Sequence, residues 1–173
     1  MNSFLPVGDP RDERPTTRVR PLRSRPLRVL IVERKRLAAE ALMFTLDSDP
    51  NLEAIGYSLD GWEAVELIAS YDPDTIVVGP DVVGLDQLEF CQTVHELFPH
   101  VRLITLREQL VPHEVEAAYA AGSADCLATS CSSDELLYAI AAARTRQVAF
   151  ERAQRRNAAR RAPRHTQVGA ASA

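Results

Sequence analysis

The sequence predicts an α/β protein, a three-layer (βα)5 domain in which helices cover both faces of a parallel five-stranded sheet. Five short apolar segments begin 22 to 28 residues apart, which leaves room for one helix between each pair. Four of them are nearly continuous apolar runs, as expected of parallel strands that are buried on both faces. Connections between such strands are right-handed crossovers. The length of 173 residues fits one compact domain with arms.

Strands and helices alternate along the chain. The predicted strands are 29–32, 52–55, 75–78, 103–106 and 125–128. Helical spacing of apolar residues predicts the inner faces of the intervening helices, which we expect to contain Leu37, Ala41, Leu42, Thr45 and Leu46 in the first, Trp62, Val65 and Ile68 in the second, Leu88, Cys91, Val94 and Phe98 in the third, Val115, Ala118 and Tyr119 in the fourth, and Leu136, Leu137, Ile140 and Ala141 in the fifth. For strands in the order 2-1-3-4-5, functional sites are expected at the carboxyl ends of the strands, between strands one and three.

Three helix starts carry local signals. Asp60 with Glu63 and Ser132 with Glu135 have the spacing of a capping box, in which side chains and backbone amides are bonded reciprocally. Pro112 is expected in the first turn of the fourth helix, where its missing amide costs nothing.

Charge divides the chain into three parts. Residues 29–143 contain twenty acids and five bases, a net of −15, whereas residues 1–28 carry +4 and residues 144–173 carry +7. Five prolines and no apolar period predict that residues 1–26 form a disordered basic arm. Residues 27–143 are the expected domain. Residues 144–173 are expected to form a basic helical extension to about Ala162 and then a disordered tail.

Several classes of protein are not expected. No apolar run approaches the ~20 residues of a membrane span, and no secretory signal is evident, so we expect a cytoplasmic protein. The four histidines (His95, His100, His113 and His165) and the cysteines have no ligand spacing, so no metal site or cofactor is expected. Cys91 and Cys126 fit buried positions, and Cys131 near a helix start could have a lowered pKa. The chain shows no Ser/His/Asp or Cys/His order that would suggest a hydrolase, so we do not expect an enzyme.

Five short phrases, in order and at regular spacing over two-thirds of the chain, carry a resemblance to a known family. They are 28–33 (Arg-Val-Leu-Ile-Val-Glu), 54–56 followed by Asp60-Gly61, 72–74 (Asp-Pro-Asp), Ala121-Gly122, and 133–136 (Ser-x-Glu-Leu). Residues 27–143 resemble the receiver domain of bacterial response regulators, the signalling proteins of two-component systems, especially the subfamily usually followed by a helix-turn-helix. The resemblance implies the flavodoxin-like receiver fold. Residues 144–173 lack a three-helix apolar pattern, so we expect no such second domain there.

The family's phosphorylation pocket needs a nucleophilic Asp after strand three, two acids after strand one, a hydroxyl after strand four and a Lys after strand five. Counting along the matching phrases places Gly79, Glu33 with Arg34, Arg107, and Thr129 at these positions. The aromatic switch position is Cys126. The resemblance therefore implies a degenerate pocket that has lost phosphotransfer. Arg34 or Arg107 could pair with Glu33 or Asp81 across the pocket mouth, or both arginines could point into water.

Two basic groups offer other sites. Arg34, Lys35 and Arg36 begin a helix, where backbone amides favour an anion or an acidic partner, although no glycine-rich loop accompanies them. The arginines of the extension, which could neutralise phosphates or contact a partner, are Arg152, Arg155, Arg156, Arg160, Arg161 and Arg164.

The sequence thus indicates a phosphorylation-independent regulatory module, not an enzyme, that acts in signal transduction or transcriptional control through protein contacts. The contacts would use the helix-four, strand-five, helix-five side or the arginine-rich extension, and the partner could be a second copy. One alternative is a nucleic-acid-binding accessory protein that uses both arms. A weaker alternative is a small-ligand sensor at Arg34–Arg36.

Overall fold

The computed structural model describes residues 25–143, and they form a parallel sheet in the order β2-β1-β3-β4-β5. The strands are β1 (Leu27–Val32), β2 (Leu52–Ser58), β3 (Thr75–Val78), β4 (Arg102–Arg107) and β5 (Ser123–Ala128). Each predicted strand is present, and all except β3 extend beyond the predicted limits. The predicted fold class and strand order are confirmed.

Helices cover both faces of this sheet. They are α1 (Arg36–Asp47), α2 (Gly61–Tyr71), α3 (Gln87–Leu97), α4 (Pro112–Ala120) and α5 (residues 133–143, where the described chain ends). Inner residues of α1 and α5 share one apolar core with the sheet, and those of α2 and α3 form the second core on the opposite face. Two cores around one sheet give the expected three layers.

The predicted helix starts at Pro112 and Ser132 are confirmed. Pro112 opens α4. The backbone amide of Ser132 donates to Glu135 Oε2 at 2.7 Å, and the amide of Glu135 donates to Ser132 Oγ at 3.3 Å, which completes the capping box. Asp60 caps α2, but the Glu63 side chain does not close that box, since its Oε2 accepts a hydrogen bond from Ser58 Oγ at 2.6 Å instead.

The helix α3 begins with a capping box that the sequence interpretation missed. Asp86 Oδ1 accepts from the amide of Leu88 at 2.8 Å, and Glu89 Oε2 lies 3.4 Å from the amide nitrogen of Asp86. The pattern Asp-x-x-Glu was visible in the sequence and would have marked this start correctly.

The predicted inner face of α1 is partly wrong. Leu37 is 81% exposed, and Ala41 is exposed beside Phe44, which is 83% exposed. Ala39 and Leu46 are the buried residues, and Leu42 and Met43 pack partly against the core. The reason is that α1 is apolar around most of its circumference, so its spacing fits more than one inner stripe. Trp62 and Tyr119, also expected inside, are exposed.

The predictions for the two basic arms, residues 1–26 and 144–173, lie outside the described residues except at positions 25 and 26, where Arg25 donates two hydrogen bonds of 2.8 Å to the Asp74 carboxylate. This includes Arg152, Arg155, Arg156, Arg160, Arg161 and the disorder expected for both ends. Within residues 25–143, no helix is both long enough and apolar enough to cross a membrane.

Candidate functional site

The carboxyl edge of the sheet brings together the residues that follow β1, β3, β4 and β5. The amide of Gly79 donates to the carbonyl of Val32 at 2.7 Å, so the ends of β3 and β1 are directly bonded. The amide of Thr129 donates to the carbonyl of Arg107 at 2.8 Å and joins the ends of β5 and β4 in the same way. Glu33, directly after β1, lies beside Gly79. Four of the five expected pocket positions therefore border one edge, as parallel strands require.

Glu33 and Gly79 fit each other sterically. The Glu33 side chain is buried, with the residue only 4% exposed, and its Oε1 accepts a hydrogen bond from the amide of Lys35 at 2.8 Å. A Cβ atom built on Gly79 would lie 2.0 Å from Glu33 Oε2. The Glu33 carboxylate thus occupies the space that any side chain at position 79 would enter. Such a side chain would require the Glu33 carboxylate to shift.

Arg107 has a different partner from the two acids expected. Its Nη1 donates to Glu114 Oε2 at 3.0 Å, and its side chain is largely buried. Glu114 lies in the first turn of α4, where a carboxylate is favoured by the helix dipole. For Arg107, the pairing with Glu33 or Asp81 and the alternative of a side chain in water are therefore both wrong. This ion pair ties the end of β4 to the start of α4.

Gln87 is a residue of this edge that the sequence interpretation missed. Its Nε2 donates to the carbonyl of Gly79 at 2.6 Å and to the carbonyl of Leu106 at 3.0 Å, so one buried amide joins the ends of β3 and β4. Gln87 Oε1 and Arg107 Nε are buried without hydrogen-bond partners in the described region. No sequence signal distinguished this glutamine, because its importance depends on the path of the β3–α3 loop.

A cavity of about 300 Å³ opens at the ends of β3 and β4. Its lining residues are Pro80, Asp81, Arg107, Glu108, Gln109, Val111 and Glu114. The expected basic group Arg34, Lys35 and Arg36 is not part of this cavity. All three residues are exposed at the start of α1, and Arg34 forms no ion pair with Glu33 or Asp81 among the described residues.

The residues at this edge do not fit the divalent cation that the family's pocket holds. A hard cation needs several oxygen ligands. Here Glu33 is the carboxylate beside Gly79, and one of its oxygens already accepts a hydrogen bond. The next three residues, Arg34 to Arg36, are cationic and oppose a metal ion. No group of three or more metal-ligating side chains was found within residues 25–143.

The cysteines are thiols in apolar surroundings. Burial raises the pKa of Cys91 to about 12, and Cys126 is also buried, as expected. Partial burial, and secondarily the charge of Glu135, raise the pKa of Cys131. The lowered pKa suggested for Cys131 is therefore wrong, because Glu135 closes the capping box beside it and burial disfavours a thiolate.

Comparison with known proteins finds similarity to response regulators. It is 32% identical over 116 residues to the response regulator MprA of Mycolicibacterium vanbaalenii, covering 65% of this chain and 48% of that protein. It is 36% identical over 76 residues to a protein-glutamate methylesterase/protein-glutamine glutaminase of Anaeromyxobacter dehalogenans, covering 44% of this chain and 21% of that protein. No family model matches the chain.

The solved receiver domain of the putative response regulator NarL from Mycobacterium tuberculosis has the same fold. The TM-score is 0.66 at 22% identity, over 70% of this chain and 98% of that domain. The chain spans about half of MprA and about a fifth of the methylesterase. The described domain therefore has the receiver fold and is homologous to response-regulator receiver domains, which supports a regulatory role in signal transduction.

Proposed function

We propose that this domain is a phosphorylation-independent regulatory module that acts in signal transduction or transcriptional control through contacts with other proteins. The observation that carries the proposal is the position of the Glu33 carboxylate, which fills the space beside Gly79 where the family has its nucleophile. Glu33 and Arg107 are both held by contacts within the domain, so we expect regulation to pass through the surface of the domain.

The electrostatics of the edge also oppose phosphotransfer. Phosphoryl transfer depends on positioning and on stabilising charge at the phosphoryl oxygens, a role that a metal ion and a lysine perform in the family. At the corresponding positions stand Arg34, which opposes a cation, and Thr129, which carries no charge. Arg107, at the hydroxyl position, forms an ion pair with Glu114. Four of the five expected groups are therefore missing, and Glu33 alone remains.

Stepwise substitution tests this proposal. We expect no gain of phosphate by the native protein or by Gly79→Asp after incubation with a small-molecule phosphodonor and magnesium, measured by intact-mass spectrometry. Addition of Arg34→Asp and Thr129→Lys is needed for recovery, and Arg107→Thr should increase it further. Millimolar magnesium should leave the melting temperature of the native protein unchanged, because a bound ion would raise it.

Gly79→Asn is the matched control, since it displaces the Glu33 carboxylate to the same extent but offers no nucleophile. A phosphate on Gly79→Asp alone, absent from Gly79→Asn, would mean that the remaining pocket is functional and would refute the proposal. A phosphate on the native protein would do the same.

One surface for protein contacts is the side formed by α4, β5 and α5. Tyr119 on α4 and Tyr138 on α5 are exposed there, and the Tyr119 hydroxyl lies 3.2 Å from Asp125 Oδ1. Exposed tyrosines supply apolar area together with a polar tip, a combination that is enriched in interfaces.

A second candidate function, nucleic-acid binding by the arms, is favoured by the charge division of the chain. Residues 144–173 carry +7 beside a domain of −15. Binding through Arg152, Arg155, Arg156, Arg160 and Arg161 should weaken steeply between low and physiological salt. It should vanish when residues 144–173 are removed. A gel shift that is insensitive to salt, or that is retained by residues 26–143 alone, would exclude this mechanism.

A further inference from the structure

The outer face of α1 is an apolar stripe that no residue of the described domain covers. Leu37 and Phe44 are 81% and 83% exposed and lie seven residues apart, which is two helical turns, so both project from one side. Ala41, also exposed, lies between them. Since Ala39 and Leu46 face the core, α1 is apolar on opposite sides. A helix with that pattern is normally buried on both sides.

The charges of α1 oppose its own dipole at both ends. Arg34, Lys35 and Arg36 precede or open the helix, where the partial charge of the backbone is positive, and no acid lies in the first turn. Asp47 ends the helix, where the partial charge is negative, and no base lies in the last turn. Lys35 occupies the N-cap position without a side-chain hydrogen bond to the helix. Both charges are unfavourable to the dipole of an isolated α1, although Asp47 Oδ1 also accepts a hydrogen bond from the amide of Ala54 at 3.2 Å within the domain.

We propose that this face is a homodimer interface in which the α1 helices of two copies pack antiparallel. The two-fold axis would pass near Ala41, whose small side chain allows two helices to approach to about 8 Å. Leu37 of one copy then packs against Phe44 of the other on each side of the axis. An isologous contact of this kind needs a self-complementary patch. The stripe meets that requirement.

Charge complementarity favours a second copy over other occupants. Arg36 and Asp47 are eleven residues apart, close to three turns, so they lie on the same flank of α1. Antiparallel pairing places Arg36 of each copy beside Asp47 of the partner, and each dipole end receives the charge that it lacks. The chain's own extension of +7 is repelled by the basic start of α1. An acidic segment would be repelled at Asp47.

The inference goes beyond the proposed function and can fail independently of it, because dimerisation is measured without phosphate. A 12-residue helix presents less than the roughly 800 Å² per partner of a standard interface. We therefore expect a dissociation constant on the order of 10–100 µM for the full 173-residue chain. Sedimentation equilibrium over a concentration series measures it.

Phe44→Asp should weaken the dimer at least about thirtyfold, because it places a charge at the centre of the apolar contact. Leu97→Asp is the matched control: Leu97 is another large apolar residue, 60% exposed at the end of α3, and its substitution should leave association unchanged. A chain that stays monomeric at about 1 mM overturns the proposal. So does a Phe44→Asp variant that associates as the native chain does.

A charge exchange tests the antiparallel geometry. Arg36→Glu and Asp47→Arg should each weaken self-association about fivefold, since each dimer would lose two ion pairs. An equimolar mixture of the two variants should regain the native affinity, because the glutamate introduced at position 36 in one variant then faces the arginine introduced at position 47 in the other. A mixture no tighter than the separate variants would overturn the arrangement. Circular dichroism of each variant verifies that the fold is intact.

Discussion

The helices α1 and α3 have almost the same length and pack on opposite faces of the same sheet, yet they differ at their first turns and on their exposed sides. α3 opens with the capping box of Asp86 and Glu89, which places acids at its positive end, and its exposed side is mostly polar. α1 opens with bases and without a capping side chain, and exposes Leu37 and Phe44. Both helices bury a core stripe of ordinary apolar residues.

The difference between the two helices indicates that stability alone does not explain the sequence of α1. A sequence specifies its fold best when capping, charge and apolar pattern agree, and disagreements concentrate where a protein functions. In α3 all three agree. In α1, capping, charge and the exposed apolar residues all depart from what a stable surface helix needs. The inner face of the same helix is regular.

The largest difference is expected between two phenylalanines. Phe90 on α3 is fully buried, so Phe90→Ala should lower the free energy of unfolding by about 3–5 kcal/mol. Phe44→Ala on α1 should change it by less than about 0.5 kcal/mol in dilute protein, where no dimer contributes. Urea unfolding measures both. A cost at Phe44 comparable to that at Phe90 would mean that the chain itself covers the outer face of α1.

The second test changes the N-cap residue of each helix. Asp86→Ala should lower the free energy of unfolding by about 1 kcal/mol, because α3 loses its cap. Lys35→Asp should raise it by about 0.5–1 kcal/mol, because Lys35 already has the extended backbone of an N-cap residue and the new carboxylate can accept from the first amides of α1.

Lys35→Ala separates capping from simple loss of the positive charge, and we expect it to have the smaller effect. Thermal or urea unfolding of the three variants measures these effects. A destabilising effect of Lys35→Asp would contradict the comparison. That result would mean that Lys35 makes a stabilising contact in the native protein.

The smallest effect extends the comparison to α5, which is capped like α3. Hydrogen bonds from the amide and the hydroxyl of Ser132 lower the pKa of Glu135 below its ordinary value of 4.5. Because the folded pKa is lowered, the stabilisation is present above pH 4.5 and is lost as the pH falls through the folded pKa. Ser132→Ala should move the pKa of Glu135 upward, measured by NMR titration of its carboxyl group. An unchanged pKa would show that the Ser132 amide alone holds the carboxylate.

The strands and their order could be predicted from the sequence because buried parallel strands are short, largely apolar runs, and Thr75–Val78 is buried from end to end. The inner face of α1 could not. Leu37 and Ala41 fit a helical stripe as well as Ala39 and Met43 do, and only packing against the sheet decides between them.

For the site, the sequence supplied residue types but not contacts. The presence of Gly79 and Glu33 at two strand ends was evident, whereas the entry of the Glu33 carboxylate into the space beside Gly79 depends on a side-chain rotamer. The ion pair of Arg107 with Glu114 depends on how the loop between β4 and α4 folds back. The sequence pattern contains no signal for the path of this loop.

The contact between Glu33 and Gly79 also restricts the order in which this site can change over generations. A chain that acquires aspartate at position 79 first must move the buried Glu33 carboxylate, whose other oxygen accepts a hydrogen bond from the Lys35 amide. A chain that first shortens Glu33 to aspartate leaves room for the later change. An order of substitution in which position 33 changes before position 79 therefore avoids this steric conflict. An aspartate introduced at position 79 alone requires the Glu33 carboxylate to move before any new chemistry is gained.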